Sequence, residues 1–210
     1  MTASGNLFIV SAPSGGGKTS LTRALIPVLE ARGIEAMISV SYTTRAPRHG
    51  EQDGVHYRFV DDARFLDMIA AGEFLEQAHV FGRRYGTGRE RTTALLAQGI
   101  DVILDIDWQG ARQVREQLPL AESIFILPPS LAALERRLRD RSQDDDATIA
   151  GRMREAQNEM SHYGEYDYLV VNDEFEPALA ELAAIFCAAR ARLAPQKGRQ
   201  QALIDALLAK

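Results

Sequence analysis

Short apolar runs alternate with segments of helical period along most of the chain. Leu7–Val10, Ala36–Val40, Val102–Asp105, Ser123–Leu127 and Tyr168–Val171 are brief and nearly continuous in apolar character, which predicts strands buried on both faces. Pro128-Pro129 closes the fourth of these. Between them, Thr19–Arg32 carries Leu21, Leu25, Val28 and Leu29 on one face and meets a helix stop at Gly33. Gly110–Gln117, Leu131–Arg141, Thr148–Met160 and Glu176–Arg192 also have helical spacing. Buried strands alternating with helices imply an α/β fold with a parallel sheet core covered by helices.

Two stretches break this rhythm. From about residue 41 to 89 the chain is richer in Arg, Gly and Tyr. Val55–Phe59 alternates with period two, as a half-buried strand does; Asp61–Ala71 reads as a helix with Asp62 as a candidate cap; Phe74–Phe81 reads as a strand. This predicts a small α+β insertion on a core of residues 1–40 and 90–210, all within a single domain. The second stretch, about 136–150, carries Arg137, Arg139 and Arg141 and then Asp144-Asp145-Asp146. Its place after the fourth strand suits a helical lid. The tail after Pro195 is expected to be helical only over Ala202–Leu208.

Composition narrows the function classes. In 210 residues, 46% hydrophobic content supports a substantial core, and a net charge of −5 argues against non-specific binding to nucleic acid or a membrane surface. The single cysteine, Cys187, excludes an internal disulfide framework and lies in an apolar run, where a buried structural thiol is expected. No apolar run approaches the ~20 residues of a membrane helix. The N-terminus has no basic segment followed by a long apolar one, so no signal peptide is expected and a cytoplasmic location is the default.

The chemistry begins after the first strand, at Ala12-Pro13-Ser14-Gly15-Gly16-Gly17-Lys18-Thr19. Strand, glycine-rich turn, Lys-Thr and helix is the arrangement of a phosphate-binding P-loop. Glycines let backbone N–H groups converge on one point, and the helix start adds about half a positive charge there. Lys18 can reach the β/γ-phosphates of a nucleotide and the Thr19 hydroxyl can ligate Mg²⁺. The usual loop opens on Gly, where this chain has Ala12. Asp105, at the carboxyl end of the third strand, stands where ligands bind in open α/β sheets and can hold Mg²⁺ directly or through water. Asp107 is placed to cap the following helix or to serve the site, and spacing does not choose between them. Arg45 and Arg48 on a stiff Ala46-Pro47 loop make a candidate fork for a phosphate, and Tyr57 can add a hydroxyl. Tyr85-Gly86-Thr87, taken alone, reads as a turn or surface feature.

Ser41 to Val60, with Thr43-Thr44-Arg45-Ala46-Pro47-Arg48 and Asp53-Gly54-Val55-His56-Tyr57, closely resembles the signature of guanylate kinases. The resemblance runs on through Gly72–Glu76, Phe81-Gly82, Tyr85–Thr87, Leu104–Gly110, Ile126–Ser130 and Val171–Asp173, in order and with family spacing. It implies a P-loop nucleoside monophosphate kinase that moves the γ-phosphoryl group of ATP, with Mg²⁺, to GMP or dGMP. By that resemblance Arg45, Arg48, Tyr57 and Tyr85 hold the GMP phosphate, with Glu51 on the same GMP side. Ser41, Glu76, Thr87 and Asp107 face the guanine; Arg137, Arg141 and Arg152 serve the transferring group with Lys18 and Arg45; Asn172 lies toward the adenine. The residue types suit this. Guanine offers N–H donors that carboxylates accept, and the acceptor phosphate is already ionised, so no general base is required. The chain departs from the family pattern at Ala12, at Tyr42 (usually small or polar), at Gly88 (often Ser) and at Ser142 (often Gly). A phosphopeptide-binding relative of these kinases typically lacks the intact loop seen here. A ribose-bisphosphate kinase lacks the Thr43–Val60 pattern.

Overall fold

The structure, a computed structural model, describes residues 4–80, 82–141 and 145–209. In chain order its first elements are β1 (Leu7–Ser11), α1 (Lys18–Glu30), β2 (Ala36–Ile38), β3 (Tyr42–Thr43), β4 (Arg58–Phe59), α2 (Asp62–Ala70), β5 (Phe74–Val80), β6 (Arg83–Gly88) and α3 (Arg89–Ala97). There follow β7 (Asp101–Asp105), α4 (Trp108–Gln117), β8 (Glu122–Leu127), α5 (Leu131–Arg141), α6 (Asp146–Ser161), β9 (Tyr168–Val171), α7 (Phe175–Ala191) and α8 (Leu193–Leu208), with a 3-10 turn at Tyr163–Glu165.

Five strands form one sheet in the order β2-β7-β1-β8-β9, every neighbouring pair parallel. Burial on both faces explains the continuous apolar sequences of β1, β7 and β8, whereas the edge strands β2 and β9, expected from their apolar runs to be buried on both faces, leave Met37, Leu169 and Val171 exposed because each has only one neighbouring strand. One face carries Phe8, Val10, Ile103, Ile124 and Val170 against Leu21, Leu25 and Leu29 of α1 and Leu182 and Phe186 of α7. Phe8 and Phe186 stack with ring centroids 3.7 Å apart. The other face carries Leu7, Ile9, Val102 and Leu104 against Ala111 and Val114 of α4. Cys187 is half-buried on the edge of the first cluster, where Arg32 donates to its sulfur at 3.3 Å.

The stretch after β2 forms a second sheet in the order β4-β3-β6-β5. Here the sequence pattern misleads in three ways. Of the alternating Val55–Phe59 run only Arg58–Phe59 is a strand; Val55 is 62% exposed and the residues before it turn back, Gly54 N donating to Tyr57 O at 2.8 Å. Asp61, not Asp62, caps α2 by accepting from Arg64 N, while Asp62 pairs with Arg84 at 3.0 Å. Tyr85-Gly86-Thr87 is no surface turn but the middle of β6, with Thr87 wholly buried. The strand expected over Phe74–Phe81 is present over Phe74–Val80, Phe81 itself lying outside the described residues. Both α3, whose only buried residue is Thr92, and α8, which buries none, lack the apolar stripe that announces a helix.

The two sheets meet through β5 and α4. Leu75 of β5 enters the second core cluster. The outer edge of β5 is met by glutamines of α4. Gln113 accepts from Gln77 N at 3.0 Å and donates to Gln77 O at 2.8 Å, and Gln117 donates to Leu75 O at 2.8 Å. An edge strand is thereby satisfied without a further strand.

Candidate active site

A cleft of about 680 Å³ lies between the carboxyl ends of β1 and β7 and the second sheet. Its floor is the loop between β1 and α1. Gly15 and Gly17 sit at φ 84° and 92°, a region that side-chain-bearing residues rarely adopt. Gly17 is doubly required, because a Cβ there would lie 2.1 Å from the Asn172 amide nitrogen. That amide donates to Gly16 O at 2.9 Å and so holds the loop from behind. Ala12 lines the cleft and packs on the first core cluster.

Lys18, the first residue of α1, points back over the loop. Its ammonium meets Asp105 Oδ1 at 2.6 Å and donates to the Ile106 carbonyl at 3.2 Å. Burial alone would lower the Lys18 pKa, but the Asp105 carboxylate, with Glu159 beyond it, outweighs this and raises it. Thr19 and Asp105 line the same cleft. Among the described residues no group of three or more His, Cys, Asp or Glu is disposed to hold a metal unaided.

The opposite end is walled by Ser41, Arg48, Tyr57, Tyr85, Glu76 and Asp107. Tyr57 and Tyr85 meet edge to face at 6.0 Å, and the Arg45 guanidinium lies 5.3 Å from the Tyr57 ring centre. Burial raises the Tyr57 pKa, so the phenol stays a hydrogen-bond donor at neutral pH. Of the expected arginine fork, Arg48 lines the cleft, while Arg45 lies one layer back and pairs with Glu51 at 2.8 Å. Glu51 also accepts from Arg48 N at 2.7 Å, and Arg45 above all holds its pKa down to about 2. Its carboxylate is thus a brace for the arginine loop.

Glu76 is 4% exposed, and burial pushes its pKa up to about 7, with Asp107 adding to the rise and Thr87 opposing it. The Thr87 hydroxyl donates to Glu76 Oε1 at 2.7 Å. Thr87 stands behind Glu76 and does not line the cleft. Asp107 caps α4 by accepting from Gly110 N at 2.9 Å while also lining the cleft, so it takes both positions that spacing left open. Gly110, unassigned from sequence, is where a Cβ would fall 2.6 Å from Glu76 Oε2.

Ala12, Pro13, Ser14, Gly15, Gly17, Lys18, Thr19, Ser41, Arg48, Tyr57, Glu76, Tyr85, Asp105, Asp107 and Arg137 therefore share one cleft. Gly16, Arg45, Glu51, Thr87, Asn172 and Arg152 are not in its wall. Asn172, expected toward the adenine, is 5% exposed beneath the loop, and its main-chain carbonyl accepts from Arg137 Nη2 at 2.9 Å. Arg152 is half-buried on α6. The Arg141 side chain, Ser142 and Asp144 lie outside the described residues, as does the middle of the expected lid. Two charged cleft residues had no local signal: Arg23, on the exposed side of α1, and Glu159, one polar residue among several on α6.

The family model described as guanylate kinase matches residues 4–189. Among curated proteins, the guanylate kinase of Salmonella choleraesuis (strain SC-B67) is 56% identical over 207 residues, covering 99% of each chain. That of Escherichia coli (strain K12) is 55% identical over 207 residues, again 99% of each chain. Among solved structures, guanylate kinase from Anaplasma phagocytophilum superposes with a TM-score of 0.75 at 33% identity, covering 92% of this chain and 90% of that one. Among the described residues no helix is long and apolar enough to cross a membrane.

Proposed function

The chain belongs to the guanylate kinase family and phosphorylates GMP with ATP, and from that premise we propose how its own residues divide the work. The glycine-rich loop and Lys18 bind the phosphates of ATP, with Arg137 turned to the same point: its Nη1 is buried without a hydrogen-bond partner among the described residues. Arg48, Tyr57 and Tyr85 hold the phosphate of GMP, with Arg45 and Glu51 fixing the loop that presents them. Glu76 and Asp107 accept from the N–H edge of guanine. Thr87 aims Glu76 and does not touch the base itself, since its one proton is already donated to the carboxylate.

An oxygen of the GMP phosphate attacks the γ-phosphorus of ATP. The bond to the β–γ bridging oxygen breaks, and ADP departs with the electron pair. The nucleophile is already ionised, so the protein supplies alignment and positive charge, not proton transfer. The Thr19 hydroxyl and Asp105, which line the cleft at the loop, would hold the Mg²⁺ that arrives with ATP. It would neutralise charge on the β- and γ-phosphates. The substrates and the bacterial relatives support a cytoplasmic site of action.

The observation that carries the division of roles is Glu76, a buried carboxylate facing the phosphate loop across one cleft. Adenine presents an acceptor where guanine presents a donor and would leave that carboxylate unpaired. ADP release measured with GMP, AMP, CMP and UMP should be fast with GMP alone. Comparable turnover with AMP would refute the role given to Glu76.

A further inference from the structure

Glu159 is a charged group in the cleft for which the phosphoryl transfer has no use. It lies in the last turn of α6, and its Oε2 accepts from the backbone N–H of Ser14 at 2.9 Å. Ser14 belongs to the phosphate loop, and Lys18 is near enough to interact with the same carboxylate. Burial opposes the charge on Glu159, while the Ser14 amide and Lys18 favour it. A loop built to attract an anion thus already has one, supplied by the protein.

One N–H cannot donate in full to both a carboxylate and a phosphate oxygen, and two anions at the same cation repel each other. We propose that Glu159 is an internal competitor for the phosphate loop: ATP must displace its carboxylate from Ser14, and the strength of that contact sets the affinity for the donor. This rests on the assignment of the loop to the ATP phosphates made above.

The displacement can be read at the contact between the α6 end and α4. Just beyond Glu159, His162 stacks on Trp108 with centroids 3.8 Å apart and planes 13° from parallel. Glu165 pairs with Arg112 at 2.6 Å and contacts His162 Nδ1 at 2.7 Å. Trp108 and Arg112 belong to α4, whose capping residue Asp107 faces the cleft. Movement of the α6 end is therefore registered at Trp108, the chain's single tryptophan.

The test is calorimetric titration of the full-length protein with magnesium-ATP in the absence of GMP. Glu159→Gln should bind ATP about tenfold more tightly than the parent, because a charged competitor becomes a weak neutral one. Glu159→Ala, which removes the acceptor, should tighten binding at least as much and serves if the Gln variant misfolds. GMP affinity, measured alongside as a check on folding, should be unchanged. ATP binding that is unchanged or weaker in folded variants overturns the proposal. If Lys18→Ala leaves ATP binding intact, the donor-end assignment itself fails; if that variant binds poorly while the Glu159 variants fail to tighten, only the present proposal fails. Trp108 emission should change when ATP is added to the parent, and Glu159→Gln without ATP should already resemble the ATP-loaded parent. Emission in that variant matching the ATP-free parent overturns the relay to α4.

Discussion

Glu76 shows how a side chain costly to the fold can stand in the cleft at the point where the guanine contact is proposed. Its folded-state pKa of about 7 stands above the ordinary 4.5. The native state therefore binds the proton more tightly, and stability falls as pH rises from the ordinary value through 7. Glu76→Gln should raise stability by up to about 3 kcal/mol at pH 8 and much less at pH 5, checked by denaturant melts at both values. Equal gains at the two pH values would contradict the assignment. The same variant should raise KM for GMP by roughly two powers of ten, since a neutral amide accepts weakly from guanine. In the parent, GMP affinity should weaken as pH drops below about 7, because the protonated carboxyl loses acceptor capacity. Two departures from the family pattern also explain each other at this scale. A Cβ on Gly88 would lie 3.1 Å from the Tyr42 ring, so the large residue and the missing side chain share one space. Gly88 has φ −66°, which any residue adopts, so only the ring stands in the way. Gly88→Ser should cost about 1–2 kcal/mol, and the loss should largely vanish when Tyr42→Ser is added. Additive losses in that double-mutant cycle would show that the two positions do not interact.

Secondary elements here are held by partners as much as by their own pattern. β5 bears Glu76 and is an edge strand whose outer hydrogen bonds are made by Gln113 and Gln117 of α4. The helix that carries Asp107 at its cap therefore also sets the depth of the strand that carries Glu76. Gln113→Leu leaves Gln77 N and O without their partner and should cost about 1–3 kcal/mol. It should also raise KM for GMP more than it lowers kcat, because the base pocket loosens while the donor end is untouched; steady-state kinetics in both substrates would separate the two. None of this is visible in the periodicity of Trp108–Gln117, where Gln113 and Gln117 read as solvent-facing. For the same reason β6 passed unseen: Arg83–Gly88 lacks an apolar alternation, and its burial comes from neighbours on both sides. Apart from α3, which has no such stripe and goes unseen in the sequence, the strands and helices of the parallel core were legible to within a few residues, since most bury a continuous run or stripe of their own. The exposed helix α8 was read too short for want of such a stripe.

Across the molecule, the cleft joins two sheets to which separate tasks are proposed, and the two ends should respond separately. Chelating magnesium with EDTA should abolish phosphoryl transfer while leaving GMP binding nearly intact, because the Arg48, Tyr57 and Glu76 end needs no metal; equilibrium binding of GMP with and without EDTA checks this. Loss of both together would mean that the ends are not independent. The sequence alone determined the parallel core, the phosphate loop and the family signature, because these depend on order along the chain: runs that bury themselves, glycines that free the backbone, a lysine at a helix start. Folding decided which of the marked residues reach the cleft and which support them, since a position in sequence carries no direction in space. It turned Thr87 onto Glu76, Asn172 onto Gly16 and Arg45 onto Glu51, and it brought Glu159 from 145 residues away onto Ser14. Contacts between distant segments arise only when packing sets both elements at once, and no local pattern records them.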